Sequence, residues 1–281
     1  MNPATMNELM EYADKKGIGV GMFNIVNLEF ARAIFDAAQE TRIPVMFGIP
    51  ERFFLQDFYN VKVVADMCKA MIRESNTPIA IHLDHGKHFD GVMAALEAGF
   101  SSVMFDGSAL EYEENVRQTA EIVKIAHAMG VSVEGELGYV GSFGVDALTE
   151  DGFTKPDQAE DFAARTGVDA LAVAIGNQHG EYKGTPKLDF DRLKAIKAKV
   201  NCGLVLHGGS GIKDSDFVKA IKCGVSKVNI YTAMDLAAKK ITNEHFKEYK
   251  MYLDYTKDLR ADVKEVVKSH MLLFGMERDY E

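Results

Sequence analysis

Two imidazoles bracket a carboxylate at the end of one apolar run, Ile79-Ala80-Ile81-His82-Leu83-Asp84-His85-Gly86. Such groups are tolerated at the end of a buried strand where a loop, water or a metal satisfies them, so this end should face a site. His207 directly follows a second apolar run and His179 lies just past a third, and with His85 they supply neutral imidazoles from the ends of three strands. Three imidazoles with an open position suit Zn²⁺ acting as a Lewis acid, and suit Co²⁺ or Fe²⁺ less selectively. The alternation of His82 with Leu83 and Asp84 marks His82 as support for the ligands, not as a fourth one. Asp106 and Glu136 also end strands, where they could hold a second divalent or a monovalent cation, or only orient the histidines.

A second constellation follows at His207-Gly208-Gly209-Ser210-Gly211 and Asn229-Ile230-Tyr231-Thr232. Glycines let backbone N–H groups close on an anion, and the loops after the seventh and eighth strands are where barrels commonly hold phosphate. Gly180 and Lys183 lie on a neighbouring loop, the lysine able to pair with the same phosphate. A metal beside a phosphate pocket, with Asp84 next to His85, suits a sugar-phosphate carbonyl polarised by zinc while a carboxylate moves a proton. Carbon–carbon cleavage through an enediolate needs those groups. Phosphoester hydrolysis usually prefers two metals bridging the phosphate, which this sequence does not clearly supply.

The elements that must position these residues alternate. Apolar runs at Ile18 to Asn24, Pro44 to Gly48, Ile79 to Gly86, Ser102 to Asp106, Val131 to Leu137, Asp169 to Ile175, Gly203 to Leu206 and Lys227 to Ile230 read as strands, with amphipathic helical stretches between them. Uniformly apolar strands alternating with helices call for a parallel sheet covered on its outer face, and this length closes best as a (β/α)8 TIM barrel of about 250 residues. Residues 1–281 are read as a single domain with extra N- and C-terminal helices. A doubly wound open sheet fits less well, because no G-x-G-x-x-G follows the first strand. Asn24 and Asn27 then fall at the same barrel mouth as the histidines. From Gly138 to Lys155 the rhythm breaks into a glycine-bearing stretch of the form that active-site lids take.

Composition bounds the partners. With 281 residues and a net charge of −10, the chain lacks the clustered cations of a nucleic-acid surface. Cys68, Cys202 and Cys223 form no C-x-x-C pair, so neither a disulfide framework nor a thiolate zinc site is expected. No segment reaches the roughly 18 apolar residues of a membrane span, and the start lacks a signal-like run. A cytoplasmic protein is expected.

In these motifs the chain resembles the class II, zinc-dependent ketose-bisphosphate aldolases, the family of fructose- and tagatose-bisphosphate aldolases. The likeness runs from Phe23-Asn24-Ile25-Val26-Asn27 through Ala80 to Gly86, Phe105-Asp106-Gly107-Ser108, Val133-Glu134-Gly135-Glu136-Leu137-Gly138 and Val173 to Gly180, to Leu206 to Ser210 and Lys227 to Thr232. It implies retro-aldol cleavage of a ketose (bis)phosphate to dihydroxyacetone phosphate and an aldehyde. Asp84 would exchange the proton of the C4 hydroxyl. His85, His179 and His207 would bind the catalytic zinc, with Asp106 and Glu136 at a second metal position. Asn24, Gly180, Lys183, Gly208, Gly209, Ser210, Asn229, Ile230, Tyr231 and Thr232 would hold the substrate. A homodimer or homotetramer is implied.

The departures from the family pattern lie elsewhere. The glutamate that members carry on the lid is missing from its place in Gly141-Ser142-Phe143-Gly144-Val145-Asp146, leaving Asp146, Glu150 or Asp151 as substitutes. Gln178 stands where a small or apolar residue usually precedes the histidine, Pro50 stands where some fructose-bisphosphate members have a phosphate-binding serine, and Arg278 only roughly matches an arginine for the distal phosphate. These changes cluster on the aldehyde side and predict a non-standard aldehyde. The competing expectation is a barrel whose altered lid leaves it binding or isomerising a sugar phosphate without cleaving it.

Overall fold

A computed structural model describes residues 1–54, 59–138, 140, 152–180 and 186–275. Its parallel strands close in chain order into one barrel: β1 (Val20–Asn24), β2 (Val45–Pro50), β3 (Ile79–Gly86), β4 (Ser102–Phe105), β5 (Ser132–Leu137), β6 (Ala170–Val173), β7 (Gly203–Leu206) and β8 (Val225–Ile230), with β8 paired to β1. This is the TIM barrel expected from the alternation. The helices are α1 (Met6–Lys16), α2 (Leu28–Thr41), α3 (Val61–Glu74), α4 (Phe89–Glu97), α5 (Tyr112–Ala128), α6 (Pro156–Thr166), α7 (Phe190–Lys197), α8 (Asp214–Lys222), α9 (Thr232–His245) and α10 (Tyr252–Phe274). No described helix is long and apolar enough to cross a membrane.

Local signals set the helix ends. Thr5 and Glu8 form a reciprocal capping box on α1, and Gly17 ends that helix in the left-handed region at φ 67°. Asn27 does not reach the mouth chemistry, because its side chain accepts the Phe30 N–H at 3.0 Å and caps α2. Pro156 opens α6 at a position where its missing N–H leaves no orphan donor.

The barrel interior has two chemistries. At the N-terminal end, Val20, Met22, Met46, Ala80, Ala170, Ala172 and Val205 pack against Met6, Leu9, Met10 and Ala13 of α1, an apolar plug. Two residues further along the strands, the same inward face turns polar, because side chains repeat with a period of two. His82 and Asp84 follow Ala80, and Lys227 and Asn229 face the same interior from β8. The apolar plug closes one end and leaves the C-terminal mouth as the place for chemistry.

Several strand limits differ from the sequence reading by one or two residues, and two of the differences bear on the site. β6 ends at Val173 because the next amides leave the ladder: Ala174 N–H donates to Thr154 Oγ1 at 2.8 Å and Ile175 N–H to Asn177 Oδ1 at 2.8 Å. β8 begins at Val225, earlier than Lys227, which makes Lys227 an interior strand residue with no exposed surface.

Candidate metal and substrate site

Alternation along β3 points His82 and Asp84 inward and would send His85 outward. A register shift between Leu83 and Gly86 interrupts the pairing of β3 with β4, and His85 adopts φ 50°, a conformation a non-glycine residue seldom takes. That local strain re-aims His85 into the mouth, the kind of outlier that clusters at functional sites.

His85 Nε2 then lies 3.1 Å from His179 Nε2 and 3.1 Å from His207 Nδ1. Their outer partners set the tautomers. His85 Nδ1 donates to Asp106 Oδ2 at 2.9 Å, and His207 Nε2 donates to Glu134 Oε1 at 2.7 Å. In their neutral forms the inward nitrogens of these two rings would therefore present lone pairs to one point, with His179 Nε2 beside them. Nitrogen ligands about 2.0–2.1 Å from a tetrahedral Zn²⁺ lie on the order of 3.3 Å apart, close to this spacing.

Charge points the same way. Asp84, Asp106, Glu134 and Glu136 converge here, while Lys227 is the one fully buried cation among the described residues. Glu136 Oε2 is buried without a hydrogen-bond partner, and burial and then the Asp106 charge push its carboxyl up to about 8. Burial disfavours a charged His85, but Asp84, Asp106 and Glu136 outweigh it and push the ring up to about 9. Burial and the neighbouring His85 and His207 push His179 down to about 3. Converging ring nitrogens, a Glu136 oxygen without a partner and a cluster of acids fit a divalent cation, which would displace the protons that His85 and Glu136 otherwise hold. His85, Asp106 and Glu136 form a second group with ligand atoms within 4.8 Å of one another, reached from the opposite nitrogen of the same His85 ring.

Asp84 sits beside the histidines, its Oδ1 4.0 Å from His85 Nε2. Asn24 Nδ2 donates to Asp84 Oδ2 at 2.9 Å, and Asn229 Nδ2 donates to Asp84 Oδ1 at 3.2 Å. Burial alone would raise this carboxyl, yet His85, His207, Lys227 and the Asn24 bond hold it below its ordinary value. It is a fixed, ionised carboxylate with both oxygens oriented.

The loop after β7 meets the start of α9 at the same mouth. Tyr231 gives α9 no side-chain cap; instead Ser210 Oγ accepts the Ala233 N–H at 3.0 Å. Thr232 is the first residue of α9, so the positive end of the helix faces this loop. Gly208 has φ 64°, and a Cβ there would stand 2.0 Å from Gln178 O, so the loops after β6 and β7 touch through backbone. Gly209 N–H donates to Asn229 O at 3.3 Å, and Gly180 has φ 88°. The Ile230 side chain is buried in the outer core, which leaves its backbone to face the mouth. Thr154 binds the ends of β5 and β6 through Leu137 O and Ala174 N. Lys183, Asp146, Glu150, Asp151 and Arg278 lie outside the described residues.

Beyond His82, read as support for the ligands, and Asp106, sequence reasoning assigned no role to the residues behind this site. Lys227 Nζ bonds Glu134 Oε2 at 2.7 Å and reaches His82 Nε2 at 3.3 Å, and His82 Nδ1 pairs with Ser102 Oγ at 2.7 Å. Asn177 bridges Ile175 N–H to His207 O, tying the ends of β6 and β7 together. Asn115 donates to Glu136 O at 3.0 Å, and Ser108 Oγ donates to Asp106 Oδ1 at 2.6 Å. The available signal was period two: Glu134 precedes Glu136, and Lys227 precedes Asn229, by two residues.

A family model described as "Fructose-bisphosphate aldolase class-II" matches residues 4–278. A Staphylococcus epidermidis protein named fructose-bisphosphate aldolase is 40% identical over 280 residues, covering 96% of each chain. A Bacillus subtilis protein named probable fructose-bisphosphate aldolase is 40% identical over 279 residues, covering 96% of this chain and 97% of its own. The crystal structure of the YdjI aldolase from Escherichia coli K12 superposes with a TM-score of 0.88 at 35% identity and full coverage of both chains (100% and 100%).

Proposed function

The chain belongs to the class-II fructose-bisphosphate aldolase family, and from that premise we propose that it reversibly cleaves a ketose phosphate to dihydroxyacetone phosphate and an aldehyde, using Zn²⁺ held by His85, His179 and His207. The observation that carries this reading is the Asp84 carboxyl, held by two amides beside three converging imidazoles. A hydrolase would need to aim water. An aldolase needs a base at one hydroxyl and an electron sink at a carbonyl two carbons away.

When bound, the cation supplies Lewis-acid polarisation of the ketose carbonyl. Asp84 accepts the proton of the C4 hydroxyl, the C3–C4 bond breaks, and its electron pair moves toward C2 to leave an enediolate and a free aldehyde. A proton delivered to C3, by Asp146, Glu150 or Asp151 in place of the lid glutamate or by water, turns the enediolate into dihydroxyacetone phosphate. In the condensing direction Asp84 returns the proton. Asn24 and Asn229 fix the carboxylate, so little reorientation is needed at the moment of transfer. Asp106 and Glu136 form the second cation position. Gly180, Lys183, Gly208, Gly209, Ser210 and Asn229 to Thr232 cradle the phosphate of dihydroxyacetone phosphate, using backbone N–H groups and the start of α9. In this reading residues 1–281 form one barrel domain of a cytoplasmic homodimer or homotetramer.

The aldehyde is proposed to be non-standard. Pro50 pairs with Asp84 in the sheet and brings no hydroxyl to the position where some fructose-bisphosphate members place a phosphate-binding serine. The test is release of dihydroxyacetone phosphate from a panel of ketose phosphates, which differ in length, configuration and terminal group, before and after chelation. Chelator-sensitive release from a member of the panel is the expected result. No release by zinc-loaded protein from any of them would overturn the reading.

Gly208→Ala tests the phosphate cradle. Its Cβ would collide with Gln178 O and its φ is strained for alanine, so the loop must move away from β6. The expected outcome in steady-state kinetics is a Michaelis constant raised by roughly tenfold or more, the size of one lost charge-assisted hydrogen bond, with a smaller change in turnover.

A further inference from the structure

We propose that Arg52 selects the aldehyde half of the substrate by pairing with an oxyanion, a phosphate or a carboxylate, at the end remote from the cleaved bond. The assignment rests on the aldolase reading above and names the class of aldehyde which that reading leaves open.

Arg52 follows β2 and is exposed at the mouth. Its guanidinium carbon lies 5.4 Å from the Phe53 ring centre and 5.7 Å from that of Tyr231. Tyr231 follows β8, and β1 lies between β8 and β2, so the side chain crosses above the end of β1. That end is Asn24, which is bonded to Asp84, and Pro50 is the β2 partner of Asp84. Arg52 is thus on the β1–β2 side of Asp84, whereas His179 and His207 come from the β6–β7 side. A ketose with its carbonyl at the histidines and its C4 hydroxyl at Asp84 directs the rest of its chain past Asp84.

Ring stacking holds the guanidinium in place without using its N–H fork. Arg52 makes no hydrogen bond or ion pair with any described residue. The neighbouring acids among the described residues are engaged elsewhere. Glu51 accepts the Lys87 and His88 N–H groups at 2.9 and 3.1 Å and meets the His88 ring, and Asp235 pairs with Lys239 at 2.6 Å. Lys87 lies 3.9 Å from Asp106, and Lys227 is committed to Glu134. A positioned fork with no carboxylate partner among the described residues, over the exit path from Asp84, is suited to two-point recognition of an oxyanion.

The test is condensation of dihydroxyacetone phosphate with three aldehydes of the same backbone: glyceraldehyde, glyceraldehyde 3-phosphate and tartronate semialdehyde. Wild-type protein should favour at least one of the anionic aldehydes over glyceraldehyde in kcat/KM, and which one separates phosphate from carboxylate recognition. Arg52→Ala should reduce that preference roughly ten- to hundredfold, mainly through the aldehyde KM, the span of a lost hydrogen bond to a charged group. Arg52→Lys should recover part of it, since it keeps the charge and loses the fork. An equal loss with all three aldehydes, or a higher KM for dihydroxyacetone phosphate, would assign Arg52 to the other half of the substrate and overturn the proposal. Turnover by wild type without any anionic preference would overturn it also, leaving the aldolase reading intact. Absence of turnover with every aldehyde would overturn both.

Discussion

Asp84→Asn lowers cleavage by roughly 10²–10⁴-fold, the span for loss of a general acid or base, while substrate affinity stays nearly unchanged. The replacement preserves shape, so the fold has little reason to object. Both Asp84 oxygens accept hydrogen bonds, from Asn24 at 2.9 Å and Asn229 at 3.2 Å. An asparagine keeps one acceptor and turns an NH₂ toward the other amide. Asn229 Oδ1 is buried without a partner, so rotation of that amide offers the new NH₂ an acceptor. What the variant lacks is a basic oxygen for the C4 proton. Single-turnover release of dihydroxyacetone phosphate, measured beside equilibrium binding of the same ketose phosphate, separates the two quantities. Unchanged release would remove Asp84 from the proton transfer. An equal fall in binding and release would make it a ground-state contact instead.

The fold was legible because it needs only local information repeated many times. Apolar runs alternating with amphipathic helices, in a chain too short for two large domains, leave few closed arrangements. The mouth residues followed from the same regularity, since strand ends must converge once a barrel is assumed. What escaped the sequence were departures from regularity caused by distant partners. Alternation would point His85 outward, and only the broken register against β4 with a left-handed backbone turns it in. Asn27 looked like a mouth residue because it lies near Asn24, yet Phe30 N–H takes its side chain. β6 stops early because Thr154, from the far end of a long connection, takes the next amide. Lys227 was visible as a letter in a motif, but its partner Glu134 lies 93 residues away, and no local pattern pairs them.

That pair carries the other large effect. Lys227→Met should destabilise the protein by about 3–5 kcal/mol, the usual consequence of removing one partner from a buried ion pair. Methionine replaces most of the lysine stem, so packing changes little. The loss arises because Glu134, at 0% exposure, loses its Lys227 partner and keeps only the His207 ring at 2.7 Å and the His82 ring at 3.7 Å. The same change reaches the candidate metal position. Burial, then His85 and then Lys227 hold the His207 ring well below its ordinary proton affinity, so removing Lys227 raises that affinity. A proton on His207 Nδ1 competes with metal, and zinc affinity should fall by about 10–100-fold, the size of effect seen when groups behind metal ligands are lost. The sign of the pH dependence follows: the deficit grows as pH falls, because protonated histidine becomes more abundant in the variant first. Zinc competition with a chromophoric chelator at two pH values, with urea unfolding of the same samples, measures both effects. Lys227→Met combined with Glu134→Gln is the decisive control, because the amide oxygen still accepts the His207 N–H and no buried charge is left unpaired. Recovery of most of the stability in the double variant assigns the loss to uncompensated charge, whereas no recovery would assign it to the packing of the lysine stem.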